Sequence, residues 1–339
     1  MLKIAIIGSG FGQYGLLPAF RSIKNCDVVA ICGRKRKQLV TYCKKVGLKN
    51  IYHDWQSLLK NEKLDAVALA VTPRAQYTIA KYAIKKGLHV FAEKPLAVNV
   101  SQAQELLSLA QKKRIVHGID FIFPEIAAWK KVKELIDRRA FGELNHISVN
   151  WDFLSYNVKN KISSWKTSTE EGGGALSFYF SHGLYYLEYF TGKILNVKSV
   201  FTRSKEGIGN AEIGIDMVLE FENNVTGHAH INCNSHGLIR HQIILQCENG
   251  VVVLENKNSF VDNFTIKTYS EDGVKHLKVL KDRGRRNEDA RVKIVRKLAA
   301  RFVSACVRNK PMFPSFKEGL EVQKLIERIR AAAVKHKNE

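Results

Sequence analysis

The chain has little cysteine for its length, six residues in 339, and none of them forms a C-x-x-C pair or a zinc-like spacing. Cys26, Cys32, Cys43, Cys233, Cys247 and Cys306 are scattered as small core residues of a reducing compartment would be. Neither a disulfide framework nor a metal site is expected from them. No apolar run approaches the ~20 residues that cross a bilayer, which excludes a helical membrane span. The short run Ile4 to Ile7 stops at a glycine, too soon for the core of a signal peptide, so a cytoplasmic protein is expected. Acidic residues are also scarce: 32 against 54 lysines and arginines, a net charge of +22. Such a balance points to anionic partners. The basic residues are spread along the whole chain, with short runs at 34–37, 112–114 and 283–286, and no zinc-finger or RNP-type sequence accompanies them. The expectation is a solvated basic surface and an anionic small-molecule substrate, with neither a specific nucleic acid nor a membrane as partner.

What is present is an ordinary globular composition, 45% hydrophobic and 25% charged, long enough for two domains. The first 35 residues carry the sharpest signal. Lys3 to Ile7 reads as a strand, Gly8-Ser9-Gly10-Phe11-Gly12 as a tight turn, Leu16, Leu17 and Phe20 as one face of a helix, and Val28 to Cys32 as a second strand. In a Rossmann unit such glycines let the backbone approach a pyrophosphate at a helix N-terminus. A strict G-x-G-x-x-G would need its third glycine at Gln13, whereas this chain has Gly12 and Gly15. The residue after the second strand then selects the cofactor, an acid favouring a ribose 2′-hydroxyl and basic residues a 2′-phosphate. Here Gly33, Arg34 and Lys35 follow with no acid, so NADP(H) is favoured, with NAD(H) as the alternative.

Strand and helix patterns alternate to about residue 122, as in a doubly wound parallel sheet. Asp65 to Val71 is a buried-strand run ending in Thr72-Pro73, a helix runs from Ala75 to Lys86, and the strand Leu88 to Ala92 leads into Glu93-Lys94-Pro95. Ser101 is read as the N-cap of a helix to Lys113. From 123 to 339 a second α/β domain is expected: a helix to Arg139, then alternating segments such as His146 to Phe153 and Thr226 to Asn232 that suit a large, open, mostly antiparallel sheet. A helix over 175–190 interrupts the strands. Asn249-Gly250 marks a hairpin, and helices over 288–308 and 316–334 close the chain.

With these elements in place the chain resembles the glucose–fructose oxidoreductase, inositol dehydrogenase and rhizopine-catabolism (Gfo/Idh/MocA) family over nearly its whole length. The matching features are the glycine turn at 8–12, Thr72-Pro73, Ala83 to Pro95 (AIKKGLHVFAEKP), Gly142-Glu143, Trp165-Lys166, and Gly172-Gly173-Gly174 leading to His182. The resemblance implies a Rossmann domain, a second domain whose sheet walls the active site and joins two or four subunits, and hydride exchange between a nicotinamide and a hydroxyl-bearing carbon of a sugar. A nucleotide-linked sugar would suit the charge. An inositol or other cyclic polyol is the alternative substrate, and a catalytically silent dinucleotide-binding sensor is the alternative function.

The motif residues can be given physical roles. Lys94 follows a parallel strand at its carboxyl end, where ligands of open α/β sheets bind, and its ammonium can polarise a substrate oxygen. Glu93, Thr72 and Pro73 line the expected cofactor crevice. His182 is the natural proton carrier, but the family's acids four residues before it and three after are Phe178 and Tyr185 here. Tyr179 or Tyr186 could take over the proton. Tyr77 and Asp120-Phe121-Ile122 replace the family's usual His and Asn-x-Arg. Asp120, Trp165 and Lys166, with Lys94 and His182, are the candidate substrate contacts.

Overall fold

The computed structural model describes residues 1–34, 37–204 and 207–333; Lys35, one of the cofactor-selecting candidates, lies outside the described residues. Two compact units emerge, Met1–Ile122 together with Arg283–Gln323, and Phe123–Asp282 together with the segment from Lys324 onward. The first break in the chain falls after residue 122. Residues 283–323, expected in the second domain, belong instead with the first unit.

In the first unit the parallel strands are β1 (Leu2–Ile7), β2 (Cys26–Cys32), β3 (Asn50–Tyr52), β4 (Ala66–Leu69), β5 (His89–Ala92) and β6 (His117–Ile119). Their order is β3-β2-β1-β4-β5-β6. Buried on both faces, they read as near-continuous apolar runs: all four residues of β4 are fully enclosed. Between them lie α1 (Leu17–Arg21), α2 (Lys37–Lys45), α3 (Trp55–Asn61), α4 (Pro73–Lys85) and α5 (Val100–Lys112). Chain order reverses at β1, which lies between β2 and β4, and such a reversal opens a crevice at the carboxyl ends of the strands. The cap of α5 is Asn99, whose side chain accepts the Gln102 N–H at 2.9 Å; Ser101 is already in the first turn.

The second unit holds α6 (Ala127–Asp137), α7 (Tyr156–Lys159), α8 (Ser181–Thr191) and eight strands: β7 (Leu144–Asp152), β8 (Ile194–Arg203), β9 (Glu212–Phe221), β10 (Thr226–Asn232), β11 (Arg240–Cys247), β12 (Gly250–Asn256), β13 (Thr265–Ser270) and β14 (Gly273–Leu277). Their order is β14-β13-β12-β11-β7-β10-β9-β8. Only β7 and β10 pair in parallel; every other neighbour is antiparallel. Along β7 the residues Ile147, Val149 and Trp151 are buried while their neighbours face outward, the period-2 pattern of a one-sided sheet. β14 was not legible because none of its five residues is buried, so no apolar alternation marks it. The helix expected over 175–190 is two pieces, a π turn over Ala175–Tyr179 followed by α8.

α9 (Val292–Arg308) explains why the chain returns to the first unit. Its apolar face includes Leu298, Phe302 and Val303, and the Phe302 ring meets Phe91 at 5.6 Å and Phe20 at 6.1 Å, both edge-on. α10 (Phe316–Ala331) follows, its residues to Gln323 in the first unit. Phe302→Ala should destabilise the protein by about 3–5 kcal/mol, as truncation of a buried aromatic does. A shift of the denaturation midpoint of that size checks it; a change below about 1 kcal/mol would mean α9 is not part of this core.

Candidate functional site

The glycine turn is built by contact. Gly8 has φ +133°, and a Cβ there would lie 2.1 Å from the Ala70 carbonyl oxygen, so β1 and β4 close up at their ends only over glycine. A Cβ on Gly10 would meet nothing within 4 Å, so that residue is open to an approaching ligand. Gly12 lies against the sheet: its added Cβ would be 3.2 Å from Ile6 Cγ2 and 3.6 Å from Ala70 Cβ. Gly12 thus serves the helix–strand packing for which a third glycine is ordinarily kept. The imperfect spacing has a local cause, because the helix opens with a π turn over Gly12–Leu16 that carries one extra residue. The open backbone at Gly10, in the turn between β1 and α1, leaves room in which a pyrophosphate could be held.

At the end of β2, Gly33 donates its N–H to the Tyr52 carbonyl at 3.0 Å, and its own carbonyl is 2.9 Å from His53 Nδ1. A Cβ at 33 would fall 2.4 Å from Ser9 Cβ, so an acid is sterically shut out of this position. Arg34 next to it is exposed. Thr72 caps α4 by accepting the Ala75 N–H at 3.4 Å, with Pro73 as the first helical residue.

The Glu93-Lys94-Pro95 loop is held by a residue that sequence reasoning missed. Gln76, 1% exposed on α4, donates through Nε2 to the carbonyls of Glu93, Pro95 and Leu96 at 2.6, 3.0 and 3.1 Å. Its Oε1 accepts the Glu93 N–H at 3.0 Å. A glutamine on the buried side of α4, beside Ile79 and Ala83, was the available signal. Lys94–Pro95 is cis. Tyr77, by contrast, bonds Glu105 and accepts from Lys81 at 3.1 Å on the outer side of the same helix.

Around the loop sits a charge cluster. Asp120 is 2% exposed, shares a hydrogen bond with the Glu93 carboxyl, and its Oδ1 has no partner among the described residues. Burial and then the Glu93 charge push Asp120 far above the usual carboxylate range; burial also raises Glu93, opposed chiefly by Lys94. The buried Asp120, hydrogen-bonded to the half-buried Glu93 carboxyl, holds its proton more tightly than a free carboxyl does. Lys94 and Arg291 supply the opposing charge. Arg291 was invisible in sequence, 171 positions beyond Asp120 and outside every motif. It lies 4.4 Å over the Phe11 ring and bonds both Asp289 carboxylate oxygens at 2.8 Å. It ties the glycine turn to this cluster.

The second unit holds the other candidates. A Cβ on Gly173 would meet the Trp165 carbonyl at 2.2 Å, and one on Gly174 (φ +99°) the Glu212 carboxylate at 2.2 Å. Glu212, 2% exposed, accepts the Leu176 N–H at 3.0 Å and pairs with Arg330 at 3.3 Å. The triple glycine thus seats the π turn and presents Trp165, Lys166 and Phe178 together: the Trp165 ring meets Phe178 at 5.1 Å and Lys166 Nζ lies 4.6 Å over it. Tyr179 continues the row, 4.5 Å from Phe178. His182 is 4% exposed, edge-on to Phe123 at 5.1 Å. Tyr186 needs a correction: it is fully enclosed, packs on Trp129 at 4.8 Å, and its hydroxyl is 3.1 Å from His241 Nε2. Burial pushes the Tyr186 phenol far up and the His241 ring down to about 3. Tyr186 is a core residue with a satisfied polar end. Burial, then the neighbouring Cys233, also raise Tyr179.

The retained proton has a measurable consequence. The folded chain keeps on Asp120 a proton that the unfolded chain releases near its ordinary value of 3.8, so stability falls as pH rises above that point. Asp120→Asn should raise the thermal midpoint at neutral pH and flatten its dependence between about pH 5 and 8. An unchanged pH profile would contradict the pairing.

Residues 2–121 match the family described as "Oxidoreductase family, NAD-binding Rossmann fold", and residues 129–253 match the GFO/IDH/MocA C-terminal domain. An uncharacterised oxidoreductase of Synechocystis sp. is 31% identical over 78% of this chain and 75% of its own length. A D-glucoside 3-dehydrogenase of Escherichia coli is 28% identical over 42% of this chain and 41% of its own. Among solved structures, a levoglucosan dehydrogenase in complex with NADH and L-sorbose shares the fold at TM-score 0.82 and 19% identity, covering 98% of this chain and 96% of that one. The glycine cradle, the lysine at the carboxyl end of β5 and the triple glycine of the second unit therefore stand in a chain that belongs to the GFO/IDH/MocA oxidoreductase family.

Proposed function

We propose that the protein is an NADP(H)-preferring oxidoreductase that moves hydride between a nicotinamide and a hydroxyl- or keto-bearing carbon of a sugar, a nucleotide-linked sugar in particular. The observation that carries this reading is Lys94, in the loop that the Gln76 clamp fixes at the carboxyl end of β5, beside the hydrogen-bonded Glu93 and Asp120 carboxyls. A bound nicotinamide supplies or receives the hydride. Gly8, Gly10, Phe11 and Gly12 receive the pyrophosphate, Arg34 and Lys35 the 2′-phosphate, and Thr72, Pro73 and Glu93 border the crevice. Lys94 holds a positive charge against the oxygen whose carbon reacts, favouring the alkoxide-like form. Asp120, with one carboxylate oxygen unpartnered, accepts a substrate hydroxyl.

His182 is the proposed proton carrier, with Tyr179 as its alternate; Tyr186 is set aside because it is closed off from any ligand. Trp165 and Lys166 offer an apolar face beside a cation, the pairing that suits a sugar ring bearing a phosphate. The sugar dehydrogenases among the relatives support this choice of substrate. The protein is expected to work as a dimer or tetramer joined through the open sheet, in the cytoplasm.

Lys94→Met should abolish turnover while NADPH still binds, and His182→Asn should slow it by ~10²–10⁴-fold, the usual contribution of a positioned acid–base group. Near-normal turnover by Lys94→Met would refute the site. For the cofactor, a charge-assisted contact contributes roughly 1.5–3 kcal/mol, so NADPH should bind at least about tenfold more tightly than NADH. Arg34→Ala should erase most of that margin in a fluorescence titration. Equal affinity of the unmutated protein for both cofactors would refute the preference.

A further inference from the structure

The excess positive charge is not shared between the two units. Residues 1–122 and 283–323 carry 31 lysines and arginines against 11 acids, a net +20, whereas the rest of the chain carries 23 against 21, a net +2. Residues spread evenly in sequence are thus collected on one body. Topology collects them further. All six strands of this unit are parallel, so each connecting helix returns to the edge where the strands begin. The last turns there are basic: Lys44 and Lys45 in α2, Lys85 in α4, Lys112 in α5. α9 ends there too, since Cys306 is within electrostatic reach of Cys26 and Asp65 at the starts of β2 and β4; its last turn holds Arg308.

Helix dipoles account for one cation at each helix end. They do not account for the exposed Lys24, Lys49, Lys113 and Lys310 in the adjoining loops, nor for the few acids there, Asp27, Glu62 and Asp65. None of the named helix-end or loop cations forms an ion pair among the described residues. Two further features mark the edge. Val307, on the last turn of α9, stands out from it, 59% exposed. A cavity of ≈ 560 Å³ opens on it, with Lys3, Lys60, Lys63 and Lys86 around Leu59 and Leu88.

We infer that this edge of the first unit docks on an anionic lipid bilayer. Cations deployed across six strands, a span of roughly 25 Å at ~4.8 Å per strand, match a flat field of phosphate headgroups. The exposed Val307 reaches the acyl boundary as the apolar side chains of peripheral proteins do. Nucleic acid fits less well, since among the described residues the edge has no row of exposed aromatics for stacking and no projecting helix for a groove. The glycine turn lies at the opposite edge of the same sheet, so docking leaves the cofactor crevice untouched. The exterior read from sequence as merely solvated has an occupant.

The test is co-sedimentation of the full chain with vesicles of phosphatidylcholine alone, or with a third phosphatidylglycerol, in about 0.1 M and about 1 M salt. Binding is expected only to the anionic vesicles and only at the lower salt. With about 1 kcal/mol for each basic residue at the surface, reversal of four (Lys44→Glu, Lys45→Glu, Lys112→Glu, Lys113→Glu) should weaken binding at least a hundredfold. NADPH affinity should not move, and the thermal midpoint should fall only by the few degrees that losing helix-end cations costs. A control with the same change in net charge on the other unit (Lys159→Glu, Lys257→Glu, Lys275→Glu, Lys278→Glu) should bind nearly as the unmutated chain does. The inference is overturned by no binding to anionic vesicles, by equal loss in both variants, or by tighter binding to random duplex DNA at the same salt.

Discussion

A buried carboxyl hydrogen-bonded to a second carboxyl constrains the rest of the first unit. Neighbouring strands bring together Glu93, half-buried just after β5, and Asp120, buried just after β6. At a buried position an isolated ion costs several kcal/mol, so the pair needs a retained proton and opposing cations. Lys94 and Arg291 supply the latter. Each is itself held: Lys94 by a loop that the Gln76 amide grips at three carbonyls, Arg291 by both oxygens of Asp289. The chemistry proposed for Lys94 depends on this reduced charge. A lysine facing two full negative charges would be held more tightly by them than one facing a carboxyl pair whose charge is reduced.

The same arrangement accounts for the return of the chain at Arg283. Arg291 precedes α9, whose apolar face covers the sheet through Phe302. Covering the core and placing the guanidinium over Phe11 are one structural act. The glycine turn, the E-K-P loop and the start of α9 are therefore mechanically linked within the first unit, although they are far apart in sequence.

Much of this was legible in the residues. The strand–turn–helix opening, the E-K-P loop and the Asn249-Gly250 hairpin followed from local signals, because turns, caps and buried strands leave their marks within a few residues. Boundaries drifted where two caps competed, as with Asn99 and Ser101, or where no apolar alternation existed, as in β14. What stayed hidden was everything that depends on distant packing. Gln76 looked like one more polar helix residue until its buried face was known, and Arg291 like one more arginine in a basic chain. Tyr186 looked like a phenol free to donate, and proved to be the partner of a histidine from β11. The glycine at position 33 gave no sign in the sequence that Ser9 lies against it.

The central claim is hydride chemistry at Lys94, and isotope transfer tests it most directly. Keto-sugars, free and nucleotide-linked, are incubated with the full chain and NADPH deuterated at the reactive carbon of its nicotinamide, and the products are weighed by mass spectrometry. The account predicts a product carrying one deuterium on the new carbinol carbon, formed by the unmutated protein and absent with Lys94→Met. Tight binding of NADPH with no labelled product from any of these compounds would contradict it and leave a dinucleotide-binding sensor in its place.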